Sequence, residues 1–416
     1  MYQGQDQSGE AGGLPWQNTS RGQEANSPFL EFDCRIAPVV GRIYKNKLLG
    51  IVTLGFYRFW GKTHLRRLLW NGTRLGEDRL EYHGTGKELF IGFLIALVIL
   101  TPLLFVVGVV SSVLALTAPA LEIIGSLLNF AVLFAFWQFA RYRLWRYRLS
   151  RTSWRSIRFY LEGKGLRFMG ISLLWTLASL FSLGLLYPVL RQKLLDYQIN
   201  NTVFGDQNFR FTGTAGGMFK TYLPFILSNA FLLSGAILYF VFYSPVTFSD
   251  LGGGEMASYE QTAATGEFSL ILMGVALLSM IFMVMGRVHE IRFMAANMSF
   301  GEARFRSELP VSRVLLVFII MGVLTIVAYG ALFMLLPQLM IADPIMMIVL
   351  VLVFFVVIYL LFDVLKTVFL VMPLMRLFCR TLYITDISSF ETVAARSGES
   401  PRYGEGLADA LDVGAF

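Results

Sequence analysis

Charge is scarce in this chain. Of its 416 residues, 15% are Asp, Glu, Lys or Arg, against 56% hydrophobic and 15% aromatic; soluble domains carry roughly 25% charged residues. Cysteine is scarcer still, with Cys34 and Cys379 the whole complement. Two thiols make no disulfide framework and offer too few ligands for a zinc centre. The three histidines, His64, His83 and His289, fall in separate segments without ligand spacing. His-Glu-x-x-His, Gly-x-Ser-x-Gly and Walker A strings are all missing, which removes the zincin, hydrolase and P-loop signatures. No metal, cofactor or catalytic residue is expected, and the chain reads as a non-enzyme. Residues 1–28 lack an apolar core, so no cleavable signal peptide is expected there. Their Gln, Gly, Ser and Asn content predicts a disordered arm, and the small, acidic stretch 391–416 predicts a disordered tail.

Where charge is missing, apolar runs are long. From Leu89 to Ala140 the only formal charge is Glu122, from Thr221 to Ser249 there is none, and from Val314 to Phe362 there is only Asp343. A span needs about 20 apolar residues. The chain is therefore an α-helical polytopic membrane protein with about six transmembrane helices.

The charges sort by segment. Residues 58–88, 141–167, 191–220 and 287–313 are net basic, the second carrying nine basic groups against Glu162 alone. The connections 111–122, 244–267 and 338–344 hold acidic residues only. Positive-inside logic places the basic segments in the cytoplasm and the acidic connections outside. Three hairpins follow: 89–110 with 121–140, 221–243 with 267–286, and 313–337 with 345–372. Residues 47–61 are too short to cross, and 168–190 is basic on both flanks. Each carries a Leu-Gly pair near its middle, Leu54–Gly55 and Leu183–Gly184, and glycine permits a break within an apolar helix. Both read as re-entrant or interfacial helix–turn–helix elements; an ordinary tilted span at 168–190 is the rival.

These two elements belong to a repeat. Residues 49–85 align without a gap on 178–214, with Leu54, Gly55, Leu65, Asn71, Thr73, Gly76, Gly84 and Thr85 returning as Leu183, Gly184, Leu194, Asn200, Thr202, Gly205, Gly213 and Thr214. Short alternating runs follow each membrane element, at 79–83, 156–159, 208–212 and 303–306, with others at 29–33 and 381–386. Period-two alternation predicts half-buried strands, and six of them predict a small cytoplasmic sheet or barrel. The chain divides into five units: 29–88 and 164–214 with re-entrant elements, and 89–163, 215–309 and 310–390 with hairpins.

The densest chemical signal is the basic-aromatic run Arg141, Arg143, Trp145, Arg146, Arg148, Arg151, Trp154 and Arg155. Arg and Lys near a span end reach lipid phosphates, and aromatic rings favour the headgroup level. Together with Lys62, Arg66 and Arg67, the six arginines of this run are candidate contacts for an anionic lipid or anionic substrate. Nucleic acid is excluded as a partner because the same face adjoins membrane spans; a protein partner remains open. His83 predicts a structural hydrogen bond in its turn, and His289-Glu290 beside Arg292 predicts a solvated helix face. Asp363 and Lys366, three residues apart near the inner end of the last span, form a candidate interfacial pair. Asn129, Gln138 and Asn229 are polar residues within spans that can join helices or line a polar path.

The string Leu-Gly-Phe-Tyr-Arg-Phe-Trp-Gly-Lys-Thr-His-Leu-Arg-Arg from Leu54, with Leu-Trp-Asn-Gly-Thr from Leu69 and Glu-Tyr-His-Gly-Thr-Gly-Lys-Glu from Glu81, resembles the YjgN family of bacterial inner-membrane proteins. Phe209-Arg210-Phe211-Thr212-Gly213-Thr214 is similar to a motif of the same family. The resemblance spans roughly residues 29–390. It implies an inner-membrane location and carries over no catalytic residue; the charge-derived topology puts both termini in the cytoplasm. Two functions then compete. One is a transporter or channel-like protein handling a small or lipid-like molecule. The other is an anionic-lipid-binding scaffold that docks a partner on its basic face.

Overall fold

The computed structural model describes residues 29–117, 121–243, 256–334 and 344–394. Six of its helices are long and apolar enough to cross a membrane: Gly86–Thr117, Leu121–Ser150, Ala215–Leu238, Leu270–Ala296, Val311–Gly330 and Ile348–Thr381. Few residues of these spans are buried, so most of their Leu, Val, Ile and Phe side chains face outward. A surface of that composition is stable in lipid and not in water. The chain is a multi-pass membrane protein.

The expected hairpins are present as helix pairs. They comprise α3 (Gly86–Thr117) on α4 (Leu121–Ser150), α7 (Ala215–Tyr243) on α8 (Met256–Ala296), and α9 (Val311–Phe333) on α10 (Pro344–Leu365). Polar residues pin the first pair: Asn129 Nδ2 donates to Ser111 Oγ at 2.7 Å across the helices. Asn229, by contrast, bonds the carbonyl of Phe225 in its own helix. After α10 the helix widens into a π turn over Lys366–Val371 before α11 (Met372–Thr381). Pro373 accounts for the disturbance, since it removes one backbone donor and crowds the preceding turn.

The two Leu-Gly segments fold as helix–turn–helix elements, so 168–190 does not run as one helix. These are α1 (Ile36–Val52) with α2 (Arg58–Asn71), and α5 (Gly165–Phe181) with α6 (Tyr187–Asn200). Leu54 and Leu183 have φ of 50° and 52°, and Gly55 and Gly184 both have φ of 88°. Each glycine N–H returns to the carbonyl five residues back at 2.7 Å, on Gly50 and Ser179. Each leucine N–H returns to the carbonyl three back, on Ile51 and Leu180, at 3.1 Å. This is the Schellman pattern of helix termination, with leucine in the left-handed position that glycine usually takes.

The described residues contain eleven short strands, each antiparallel to its neighbours in the sheets. β1 (Leu30–Phe32), β2 (Thr73–Leu75) and β3 (Asp78–Arg79) form one sheet. The other holds β4 (Glu81–Tyr82), β5 (Thr152–Trp154), β6 (Ile157–Leu161), β7 (Thr202–Phe204), β8 (Gln207–Phe211), β9 (Met298–Phe300), β10 (Ala303–Ser307) and β11 (Leu382–Thr385), paired in that order. The six runs expected from alternation correspond to β1, β3 with β4, β6, β8, β10 and β11. Each of β2, β5, β7 and β9 directly follows a helix and turns into the next strand through two residues.

Leu75, Trp154, Phe204 and Phe300 end those four strands, and all are buried in one core. Phe390, from α12 (Ser388–Glu391), inserts among them, with ring centroids 4.5 Å from Phe300 and 6.1 Å from both Trp154 and Phe204. Val393 is buried as well, so residues 391–394, assigned to the tail by composition, belong to the folded part. Residues 1–28 and 395–416 lie outside the described residues.

Packing runs from α2 to α3, α4 to α5, α6 to α7 and α8 to α9, and returns from α10 to α1 and from α11 to β1. The ends of the folded chain thus meet. Lys47 of α1 fastens this closure, bonding Asp363 of α10 at 2.6 Å and lying 3.4 Å from the Tyr359 ring centroid.

Candidate functional site

Beside the Leu183–Gly184 turn, α4, α5, α6 and the end of α8 line an open cavity of about 460 Å³. Its walls are largely apolar, from Phe134 of α4, Leu180 of α5, Leu183 at the turn, and Leu190 and Leu194 of α6. Polar groups enter from α5, as Ser172, Thr176 and Ser179, and from α4, as Gln138. Three arginines line it as well: Arg141, Arg191 and Arg287.

The three arginines share a register with one another and with Lys62, which does not line the cavity. Arg141, Arg191 and Arg287 each stand thirteen residues ahead of the strand-ending aromatic, Trp154, Phe204 or Phe300, and Lys62 stands thirteen ahead of Leu75. Helices of equal pitch leading into equivalent hairpins bring equivalent positions to one level.

One carboxylate is set against them. Glu290 of α8 is 4% exposed. It accepts from Arg191 Nε at 3.0 Å and from Arg287 Nη1 at 2.9 Å, and it also receives the Tyr222 hydroxyl. A buried carboxylate holding two guanidiniums and a phenol is well satisfied. Arg141 is placed differently. Among the described residues it forms no hydrogen bond or ion pair, and its guanidinium lies 5.5 Å from the Phe168 ring centroid. It is near enough to feel both Arg191 and Arg287. The cavity end thus has three guanidiniums against one carboxylate. Gln138 and Ser172 line the cavity, and among the described residues their buried Oε1 and Oγ atoms form no hydrogen bond.

This corrects the expectation at His289-Glu290. The helix face there is not solvated at Glu290, which is the counter-ion of the cavity. The signal was available: Leu65, Leu144 and Leu194 stand ten residues ahead of Leu75, Trp154 and Phe204, and α8 has a carboxylate, Glu290, ten ahead of Phe300.

The other sequence candidates disperse. Arg151 bonds Glu88 at 2.6 Å, and Glu88 also receives the Tyr147 hydroxyl and closes a capping box with Thr85 at the start of α3. Arg155, in the turn between β5 and β6, bonds Asp78 of β3 at 2.5 Å, joining the two sheets. Arg66 donates to the Tyr82 hydroxyl and Arg67 to the Gly84 carbonyl. Arg143 lies over the Phe139 ring, 5.7 Å from its centroid. Lys62, Arg146 and Arg148 have partners of their own. Of the nine basic candidates, only Arg141 lines the cavity. His83 makes the structural hydrogen bond expected of it, to Ser153 Oγ at 2.6 Å. Around His64 the positive field is strong: burial and then Arg42, Arg67 and Lys45 hold its imidazole below its ordinary pKa, favouring the neutral form. For Asp363 the structure supplies Lys47, a partner that the spacing to Lys366 did not suggest. Leu54 and Gly55, equivalent to the turn at the cavity, do not line it.

Comparison with known proteins adds one match. A family model described as a bacterial protein of unknown function (DUF898) matches residues 29–410. No curated protein and no solved structure matches the chain.

Proposed function

The chain belongs to the DUF898 family of bacterial proteins of unknown function, and we propose that it is a transporter or channel-like protein that takes a small or lipid-like molecule into the cavity at the Leu183–Gly184 turn. The carrying observation is the pairing of an apolar wall with a cationic end in one cavity. Such a lining suits an amphipathic anion, with its apolar part along α4 and α5 and its charge against the arginines.

The turns supply a second support. Leu183 is 96% exposed and Leu54 is 90% exposed, while both hold a left-handed backbone that costs a leucine about 1–2 kcal/mol. A large apolar side chain kept in that conformation and pointed away from protein is suited to a lipid environment. In this reading both elements are re-entrant, the five units are copies of one design, and the sheet and both termini face the cytoplasm of a bacterial inner membrane. The scaffold alternative draws on Arg151 and Arg155, which Glu88 and Asp78 already hold. The proposal assigns binding and passage to the protein, and no catalysis.

Photo-crosslinking with a diazirine-bearing anionic lipid tests it. Label concentrated on α4 and α5 around Phe134 and Thr176, and lost in Thr176→Trp, is the expected result. Label spread evenly over the outer surface of α10, indifferent to Thr176→Trp, would overturn the reading.

A further inference from the structure

The charge count at the cavity specifies its ligand more narrowly than lipid-like. Arg191 and Arg287 share the carboxylate of Glu290, while among the described residues Arg141 forms no ion pair and feels Glu290 only from a distance. Three guanidiniums against one carboxylate leave two positive charges uncompensated beside an apolar wall. Beside a carboxylate as buried as Glu290, the favoured ligand is the one whose charge closes that deficit. A phosphodiester headgroup or a fatty acid brings one negative charge and leaves a guanidinium unpaired. A phosphate monoester carries about −1.5 to −2 near neutral pH and three acceptor oxygens. Guanidinium forks match those oxygens geometrically. Ser172 Oγ, 1% exposed and without a partner, is a further donor at the site, and Gln138 Oε1 awaits a donor such as a ligand hydroxyl.

We infer that the cavity selects a phosphate monoester, held by Arg141 together with Arg191 and Arg287 and aided by Ser172. This rests on the proposed reading of the cavity as a ligand site. The monoester can terminate a membrane lipid or belong to a water-soluble molecule; the apolar wall favours the lipid.

The test uses the full chain in nanodiscs of phosphatidylcholine carrying a minor fraction of either phosphatidic acid or phosphatidylglycerol, with retained lipid measured by native mass spectrometry. Preferential retention of phosphatidic acid, weakened about tenfold in Arg141→Gln through loss of a charge-assisted contact and partly restored in Arg141→Lys, is the expected result. Displacement of that lipid by millimolar inorganic phosphate would support the same chemistry with a soluble source. Equal retention of the two lipids, unchanged in Arg141→Gln, would overturn the monoester inference and leave lipid handling standing. If neither lipid is retained and inorganic phosphate does not bind, both the inference and the underlying reading fail. Should Arg141→Gln not fold, Ser172→Ala serves in its place, with a smaller loss of phosphatidic acid expected and none of phosphatidylglycerol.

Discussion

The first and second helix–turn–helix elements share a turn and differ in what surrounds it. Both end a helix on a left-handed leucine and a glycine, with matching hydrogen bonds. The first is filled in. Phe59, Leu89 and Tyr147 form a buried cluster with Trp60, Phe90 and Phe93, and Lys47 is matched by Asp363. The second stands open: Ser172 and Thr176 of α5 stand where α1 has Ile43 and Lys47, a cavity lies beside them, and its cations outnumber the carboxylate. One backbone device thus serves as a structural joint in one place and as the wall of a cavity in the other. Turn geometry alone does not make a cavity; the side chains around it do.

Substitutions can break or sharpen this contrast. The largest effect is expected at Glu290. Glu290→Leu places there the residue found at the equivalent positions 65, 144 and 194, so the volume is tolerable. It also leaves Arg191 and Arg287 without a counter-ion, and removing one partner of a buried pair costs about 3–5 kcal/mol. Thermal unfolding in detergent should show a large loss that Leu194→Met, a volume-conserving change on the neighbouring helix, does not. A small loss at Glu290 would mean that the arginines are solvated and the cavity is not low-dielectric.

Next come the turns. Gly55→Ala and Gly184→Ala meet no atom within 4 Å, so only the left-handed backbone is penalised. Each should cost about 1–2 kcal/mol, equally at the two sites, by the same unfolding measurement. Unequal losses would show that the shared geometry hides different local demands. Gly205→Ala is the useful contrast, because its added methyl would lie 2.3 Å from Val393 Cγ1 as well as in a left-handed conformation. It should lose more than either turn glycine.

The smallest effect is expected at the ring closure. Asp363→Asn weakens the Lys47 pair, whose aspartate is partly exposed, and such pairs contribute about 0–1 kcal/mol. A loss comparable to that of Glu290→Leu would mean that closure between α1 and α10, and not the cavity network, dominates the electrostatics.

Much of the architecture could be read in the sequence because it rests on composition. The six spans announce themselves as charge-free runs, and the Leu54–Gly55 and Leu183–Gly184 breaks as aligned pairs. The strands that alternate over four or five residues were also legible. Their partners were not: Thr73-Arg74-Leu75, Thr152-Ser153-Trp154, Thr202-Val203-Phe204 and Met298-Ser299-Phe300 are three residues long and directly continue helices. A three-residue strand has too little period to register, and only the two-residue turns that follow betray it.

The site was the least legible part. The run from Arg141 to Arg155 looks like one cluster in sequence, yet helical geometry turns its members in different directions. Arg151 and Arg155 go to structural pairs, and Arg141 alone goes to the cavity. Glu290 and Lys47 find partners 99 and 316 positions away, a distance local spacing cannot bridge. The register was nonetheless there, in Lys62, Arg141, Arg191 and Arg287 counted back from the hairpins.

The central claim is that the cavity beside Leu183–Gly184 is an occupied anion site in the membrane. Single-particle structure determination in nanodiscs made from bacterial inner-membrane lipid tests it most directly. The account expects elongated density along Phe134 and Leu180 with its head against Arg141, Arg191 and Arg287. A cavity closed by its own side chains, or lipid density confined to the outer surface of the spans, would contradict it.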